Sequence, residues 1–326
     1  MRAAYYEQNG PAREVLKLGD LDTPRPGPSE VRVKLATSGV NPSDVKARAG
    51  STRKIAYPRV IPHSDGAGEI DMVGDGVSSA RLGERVWVWN AQWLRAFGTC
   101  AEYVTLPSQQ AVRLPANTSF ETGACLGIPA MTAYHAVAVA RAAPGVTLLI
   151  AGGAGAVGHH AVQFAKAAGA TVIATISSPQ KAAAARAAGA DHVIDYKREN
   201  VDERVMAMTA KKGVDAVIEL DIATNAKLIP HVLRPHGTVV VYGTGSAESE
   251  VPLMFFLRNA ITLKFIYVYE LDTAERAAAL AAIERAIERG SLITNIGATF
   301  PLADIVAAHE AVERGNVLGN VVVKIR

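Results

Sequence analysis

Cysteine is nearly absent: Cys100 and Cys125 are the only two in 326 residues. They form neither a C-x-x-C pair nor the closely spaced set of a disulfide framework, which excludes a cysteine-held scaffold. Each reads as a small buried side chain, with a reactive thiol as the alternative. An excess of one charge is missing too, since 34 Lys and Arg stand against 31 Asp and Glu, a net +3. No Lys/Arg cluster is interleaved with aromatics, so nucleic acid is not expected as a partner. No apolar run reaches the roughly 18 to 20 residues that cross a bilayer. The opening Met1-Arg2-Ala3-Ala4-Tyr5-Tyr6-Glu7 lacks the apolar core of a secretory signal, and a cytoplasmic location is the expectation. What remains is a globular composition, 49% hydrophobic and 20% charged, long enough for two domains with substantial cores.

One stretch points to a ligand. Thr147-Leu148-Leu149-Ile150-Ala151-Gly152 reads as a buried parallel strand. It runs into Gly153-Ala154-Gly155-Ala156-Val157-Gly158, a complete G-x-G-x-x-G, and a helical pattern starts at His159-His160-Ala161-Val162. Strand, glycines and helix in that order form a dinucleotide-binding turn. Gly153 is expected to make the tight turn, Gly155 to let backbone approach a pyrophosphate, and Gly158 to let helix and strand pack closely. The N–H groups around Ala156 and Val157 then face the phosphates at the positive helix end.

The end of the following strand selects the cofactor. An NAD site usually carries an acid there for the ribose hydroxyl. This chain has Thr175-Ile176-Ser177-Ser178-Pro179-Gln180-Lys181, two hydroxyls and a cation, which suit a 2′-phosphate. NADPH is therefore expected, on Ser177, Ser178 and Lys181. A helix cap with a solvated lysine is the alternative for these three.

The texture of the chain divides it. Residues 1–120 carry short strand patterns broken by Gly and Pro: Val31 to Leu35, Gly68 to Val73, Arg85 to Trp89 and Ala101 to Val104. Residues 121–266 alternate helix and strand, beginning with a helix over Ala124 to Ala143, as a doubly wound parallel sheet does. Ile261 to Tyr269 reads as a strand at that sheet's edge, available to pair with a second copy. Residues 267–326, with a helix over Thr273 to Arg289 and a strand over Asn320 to Ile325, are expected to return to the β-rich domain.

Several motifs in order carry a resemblance: Gly39-Val40-Asn41-Pro42-Ser43-Asp44, Pro62-His63-Ser64-Asp65-Gly66-Ala67-Gly68, Gly127-Ile128-Pro129-Ala130-Met131-Thr132-Ala133-Tyr134-His135-Ala136, the glycine loop, and Gly315-Asn316-Val317-Leu318-Gly319-Asn320. The chain resembles the zinc-free quinone oxidoreductase group, relatives of zeta-crystallin, in the medium-chain dehydrogenase/reductase superfamily. The resemblance implies an α/β Rossmann domain inserted into a GroES-like β-rich catalytic domain, an active site in the cleft between them, and homodimers through Rossmann edge strands. Cofactor contacts carried over with it are Thr132, Tyr196, Tyr242, Gly243, Thr244, Gly245, Phe265, Ile266 and Tyr267. Tyr196 as a packed surface aromatic and Tyr267 as a core or dimer-edge residue are the alternatives. Asn320 stands where many relatives have a Lys, a cofactor-side position without its cation.

The positions at which zinc-dependent relatives carry ligands hold Asn41, Ser64 and Ile128. An amide, a hydroxyl and an aliphatic chain cannot replace thiolate and imidazole, and no metal is expected. The four-cysteine lobe is absent as well. His63, one position out of register, reads as a structural or cleft histidine. Without a Lewis acid, alcohol oxidation is disfavoured. A quinone or conjugated carbonyl can instead take a hydride, with hydrogen-bond donors stabilising the developing charge. Asn41 is the candidate donor, with a turn-forming role as its alternative. Asp44 joins it, to orient the loop or move a proton. Trp87, Trp89, Trp93 and Phe97 form either a flat wall for a ring or ordinary packing. Many relatives have a Tyr where this chain has Ser51-Thr52-Arg53-Lys54, which leaves the pocket's shape open. The expected function is an NADPH-dependent quinone reductase. An enoyl or alkenal reductase and a non-catalytic NADPH-binding protein, sensor-like, RNA-associated or crystallin-like, are the alternatives.

Overall fold

The computed structural model describes residues 1–326. The chain forms two units, one of Met1–Pro129 with Arg285–Arg326 and one of Ala130–Glu284. No helix is long and apolar enough to cross a membrane.

The first unit is built on a seven-stranded sheet whose spine is Glu30–Val40. Val31, Val33 and Leu35 are fully buried while Arg32 and Lys34 point outward, the two-residue period of a half-buried strand. Asp65–Val73 and Tyr103–Pro107 pair antiparallel with this strand. The chain's last strand, Asn320–Lys324, also joins it, with Val321 opposite Val40. That pairing makes the unit discontinuous, as expected. One core gathers Val31, Val33, Leu35, Ile70, Val86, Val88, Val104 and Leu106. Each such side chain contributes about 1.5–3 kcal/mol through burial. A second core brings Tyr6, Val15, Val45 and Ile61 against Ile305 and Ala308. At its margin Arg48 is fully buried, bonded to the Gly10 carbonyl and Glu313.

The second unit carries six parallel strands: β1 (Thr147–Ile150), β2 (Thr171–Ile176), β3 (His192–Asp195), β4 (Val214–Glu219), β5 (Leu233–Val241) and β6 (Thr262–Phe265). Their order is 3-2-1-4-5-6, the dinucleotide-binding arrangement, with every neighbouring pair parallel. The strand order reverses between β1 and β4, so a crevice opens beyond their carboxyl ends, where the glycine run lies.

Three local expectations are corrected. The buried helix over Ala124 to Ala143 is broken: Pro129 lies inside a wide turn over Leu126–Ala130, and the regular helix covers only Met131–Val139. A proline without N–H, whose ring crowds the carbonyl four residues back, widens the chain there. The edge strand stops at Phe265, because β5 ends opposite it at Val241 and offers no further ladder. The unit boundaries fall at 129/130 and 284/285 rather than 120/121 and 266/267. Residues 267–284 stay with the parallel sheet's unit, where Glu275 reaches His135 on Met131–Val139 at 3.7 Å.

Candidate active site

On the nucleotide side, the turn after β1 is made by Gly152 rather than Gly153. Gly152 has φ +65, in the left-handed region that favours glycine. Gly153 serves close packing instead, since a Cβ there would lie 2.5 Å from the Ala174 Cβ of β2. Gly155 is the N-cap of the helix Ala156–Ala167, with extended backbone. A Cβ on Gly158 would overlap the Gly152 carbonyl oxygen and sit 2.9 Å from its carbon, so only glycine lets this helix lie against the turn. The first N–H groups of the helix, at Ala156 and Val157, lack helical partners and are available to an anion.

Beyond β2, Ser178 caps the helix Pro179–Ala187 by accepting the Lys181 N–H at 3.3 Å. The Lys181 ammonium donates to Ser177 Oγ at 3.1 Å. The cap and the cation–hydroxyl pair thus coexist on one turn. Asp195 of β3 pairs in register with Ile176, which brings Tyr196, half exposed, alongside Ser177. Thr132 is buried on Met131–Val139. Tyr242 follows β5, and burial pushes its phenol pKa upward. A Cβ on Gly243 would overlap the Leu220 carbonyl oxygen. The Gly245 N–H donates to Asp221 Oδ1 at 2.7 Å, and Thr244 Oγ1 donates to the Ser246 carbonyl at 2.8 Å. Phe265 ends β6 exposed, Ile266 is buried, and Tyr267 is exposed with its ring 5.1 Å from that of Tyr269.

Asp221 and Glu219, at the carboxyl end of β4, were missed by sequence reasoning. Glu219 is buried with its pKa raised by desolvation; it accepts the Asp221 N–H at 2.6 Å and Asn225 Nδ2 at 2.9 Å. Their place beside the switch point, at the end of a predicted strand, was the available signal.

In the first unit Asn41 and Asp44 open the helix Pro42–Ala49 as a capping box. Asn41 N–H donates to Asp44 Oδ2 at 2.8 Å, and the Asn41 side chain accepts the Asp44 N–H. Asp44 is buried, and desolvation pushes its pKa up to about 7 against its hydrogen bonds to Asn41. Its contacts with Asn41 lie within the helix cap. Asn41 Nδ2 donates to Asp65 Oδ2 at 2.8 Å. The Ile128 N–H lies 3.0 and 2.9 Å from the two Asp65 oxygens. Asn41 and Ile128 therefore converge on a carboxyl group that the sequence reading left unassigned. Burial and the neighbouring Asp44 push the Asp65 pKa well up.

His63 is buried in the left-handed region, φ +79, with Nδ1 2.8 Å from Ser38 Oγ and Nε2 2.9 Å from Nε2 of His309. Desolvation holds its pKa down at about 3. His309 went unnoticed, since nothing local to it signals a partner 246 positions away. Asn320 is occupied by the Asn295 carbonyl, to which its Nδ2 donates at 3.0 Å. Trp87 and Trp89 are buried, which assigns Trp87 to packing; Trp93 carries the Arg53 guanidinium 5.4 Å from its ring centroid, and Phe97 is exposed. Both cysteines are buried, with thiol pKa values pushed up by desolvation.

Two family models match the chain: "Alcohol dehydrogenase GroES-like domain" over residues 27–116 and "Zinc-binding dehydrogenase" over residues 156–285. The human quinone oxidoreductase is 30% identical over 320 residues, 97% of this chain and 95% of that protein. The chain belongs to the quinone oxidoreductase group of the medium-chain dehydrogenase/reductase superfamily. It is an oxidoreductase. Among solved structures, Escherichia coli quinone oxidoreductase complexed with NADPH is 25% identical with a TM-score of 0.88, each chain covered completely. An NAD-dependent alcohol dehydrogenase is 29% identical with a TM-score of 0.92, again over both full chains. The oxidoreductase's residues do not fit a zinc ion: Asn41, Ser64 and Ile128 supply no thiolate or imidazole, and no group of three or more His, Cys, Asp or Glu is assembled to hold a metal.

Proposed function

We propose that the protein is an NADPH-dependent, zinc-independent reductase of quinones or related conjugated carbonyls. The observation that carries this reading is the Ser177–Lys181 pair on a turn with no acid, beside a glycine loop that opens the helix Ala156–Ala167. NADPH, when bound, supplies a hydride. The Ala156 and Val157 N–H groups hold its pyrophosphate at the positive helix end. Ser177, Ser178 and Lys181 hold the 2′-phosphate, with Tyr196 beside them. Tyr242, Gly243, Thr244 and Gly245 follow the β5 end as the ribose-side loop, and Phe265 to Tyr267 flank it.

Asn41 acts on the acceptor. Its amide has two N–H bonds, of which one goes to Asp65. The other lies toward the Asp44 carboxyl; an acceptor that displaces this contact takes the hydrogen bond on its carbonyl oxygen, where negative charge grows as hydride arrives. Asp44 fixes the backbone that carries this amide. A second copy of the chain joins through the β6 edge, where Phe265 is exposed, with Leu253 and Leu257 exposed on the helix Leu253–Arg258 that precedes it in the chain.

The test is cofactor consumption, with NADPH and NADH in parallel, against quinones, enones, enoyl thioesters, aldehydes and alcohols, with products identified. Quinone turnover with NADPH and no added metal supports the reading. Saturated products from enones alone would move it to a double-bond reductase. Binding of NADPH without oxidation across the panel would overturn it in favour of a non-catalytic NADPH-binding protein.

A further inference from the structure

We propose that Asp65 is the positioning residue of the active-site amide: its buried carboxyl, itself held by the Ile128 N–H, fixes Asn41 so that one amide hydrogen faces the acceptor. This rests on the reading of Asn41 as the substrate-side donor.

The carboxyl has a site made for it. A Cβ on Gly127 would lie 2.7 Å from Asp65 Cγ and overlap Oδ1, so the glycine before Ile128 leaves the space the carboxyl fills. Within that space Oδ2 accepts both Asn41 Nδ2 at 2.8 Å and the Ile128 N–H at 2.9 Å. Asn41 is then gripped at both ends of its amide, by the Asp44 N–H on the oxygen and by Asp65 on the nitrogen. Rotation of the amide would break both bonds at once.

The backbone of Asp65 is held as firmly. Thr99 Oγ1 donates to its carbonyl at 2.5 Å, Ser38 Oγ lies 2.7 Å from Thr99 Oγ1, and His63 and His309 continue the chain. His309 Nδ1 has no hydrogen-bond partner. A buried N–H without an acceptor is rarer than an unpaired lone pair, which places the His309 proton on Nε2. The donors then run one way: His309 Nε2–H to His63 Nε2, His63 Nδ1–H to Ser38, Ser38 to Thr99, and Thr99 to the Asp65 carbonyl. The chain links Asp65 to the helix Ile305–Arg314. Its cost is a histidine at positive φ, and such local strain persists where surrounding contacts over-determine it.

Burial and Asp44 favour the neutral form of Asp65. Both of its oxygens accept N–H bonds, and Asp65→Asn keeps the acceptor oxygen that faces Asn41.

The experiment measures kcat and KM for NADPH and menadione, with NADPH Kd, in Asn41→Ala, Asp65→Ala, their double variant and Asp65→Asn. Removing one charge-stabilising donor costs about 100-fold in kcat. Asn41→Ala and Asp65→Ala are each expected to lose about that much with NADPH Kd unchanged, the double variant no more than Asn41→Ala alone, and Asp65→Asn to recover most of the rate. Multiplying losses in the double variant, an unchanged kcat in Asp65→Ala, or Asp65→Asn as slow as Asp65→Ala would each overturn the inference. Asp65→Leu, which fills the space without an acceptor, replaces Asp65→Ala where the latter does not fold. A full kcat in Asn41→Ala would instead remove the reading of Asn41 itself.

Discussion

Alanine at Gly155 and alanine at Gly158 should separate cofactor binding from folding. At Gly158 the new Cβ would overlap the Gly152 carbonyl oxygen and sit 2.9 Å from its carbon and 3.1 Å from Gly153 Cα. All are backbone atoms, so the helix Ala156–Ala167 must retreat from the turn, at about 1–3 kcal/mol, the usual cost of overpacking. At Gly155 φ is −74 and ψ 173, a conformation alanine adopts freely, and the Cβ would meet only the Gly152 oxygen, at 3.3 Å. The protein without ligand should lose only about 0.5–1 kcal/mol there, the difference between glycine and alanine as an N-cap. The added methyl nevertheless stands over the helix end where a pyrophosphate would sit. Displacing a phosphate from one charged hydrogen bond costs about 1.5–3 kcal/mol, or roughly 10- to 150-fold in Kd. Thermal melting of the ligand-free protein and NADPH titration by fluorescence read the two effects separately. Gly155→Ala should melt close to wild type and bind NADPH at least about tenfold more weakly, whereas Gly158→Ala should lose both. A Gly155→Ala variant with wild-type NADPH affinity would refute the placement of the phosphates on this loop.

Lys181→Ala should weaken NADPH by at least about tenfold and leave NADH nearly unchanged, since the ammonium faces a group only NADPH carries; equal loss for both cofactors would show the phosphate assignment to be wrong. Asp44→Asn should raise Tm at alkaline pH and not in acid. Burial lifts the folded pKa of Asp44 to about 7, above its unfolded value of about 3.9. The stability linked to its protonated form is therefore present below the lower value and lost as pH rises through the upper one. A Tm difference between variant and wild type that does not change with pH would count against this. Leu257→Glu, on a side chain 75% exposed on the helix that precedes β6, should convert the proposed dimer to monomers in sedimentation velocity; an unchanged sedimentation coefficient would move the interface elsewhere.

The strand–glycine–helix turn and the cap that follows β2 were legible because their signals are local. Strand, glycines and helix follow one another within a short run, and Ser177, Ser178 and Lys181 lie within one turn. Even there the tight turn was displaced by one residue. The apolar pattern continues to Ala151, but β1 ends at Ile150, so the chain turns at the first available glycine. The second boundary between the units escaped for a different reason. Composition changes near residue 267, while the packing of the helix Thr273–Glu288 is decided by partners such as His135, far away in sequence.

Asn41 shows where sequence reading reaches its limit. Its bonds to Asp44 belong to a helix cap, and the three-residue spacing of a side-chain acceptor and a carboxylate was visible in Asn41-Pro42-Ser43-Asp44. Its bond to Asp65 crosses from the end of one sheet strand to the start of the next, and depends on Glu30–Val40 and Asp65–Val73 pairing with Gly39 opposite Asp65. That register is a property of the sheet, set by which face of each strand is apolar. The near half of the grip explains why the residue can be a turn former; the distant half fixes the direction of its amide. A turn needs only the first. An amide held by carboxyls from two separate segments is costly to order and brings no extra stability to the turn, so the second half of the grip is the stronger argument for reading Asn41 as a ligand-facing residue.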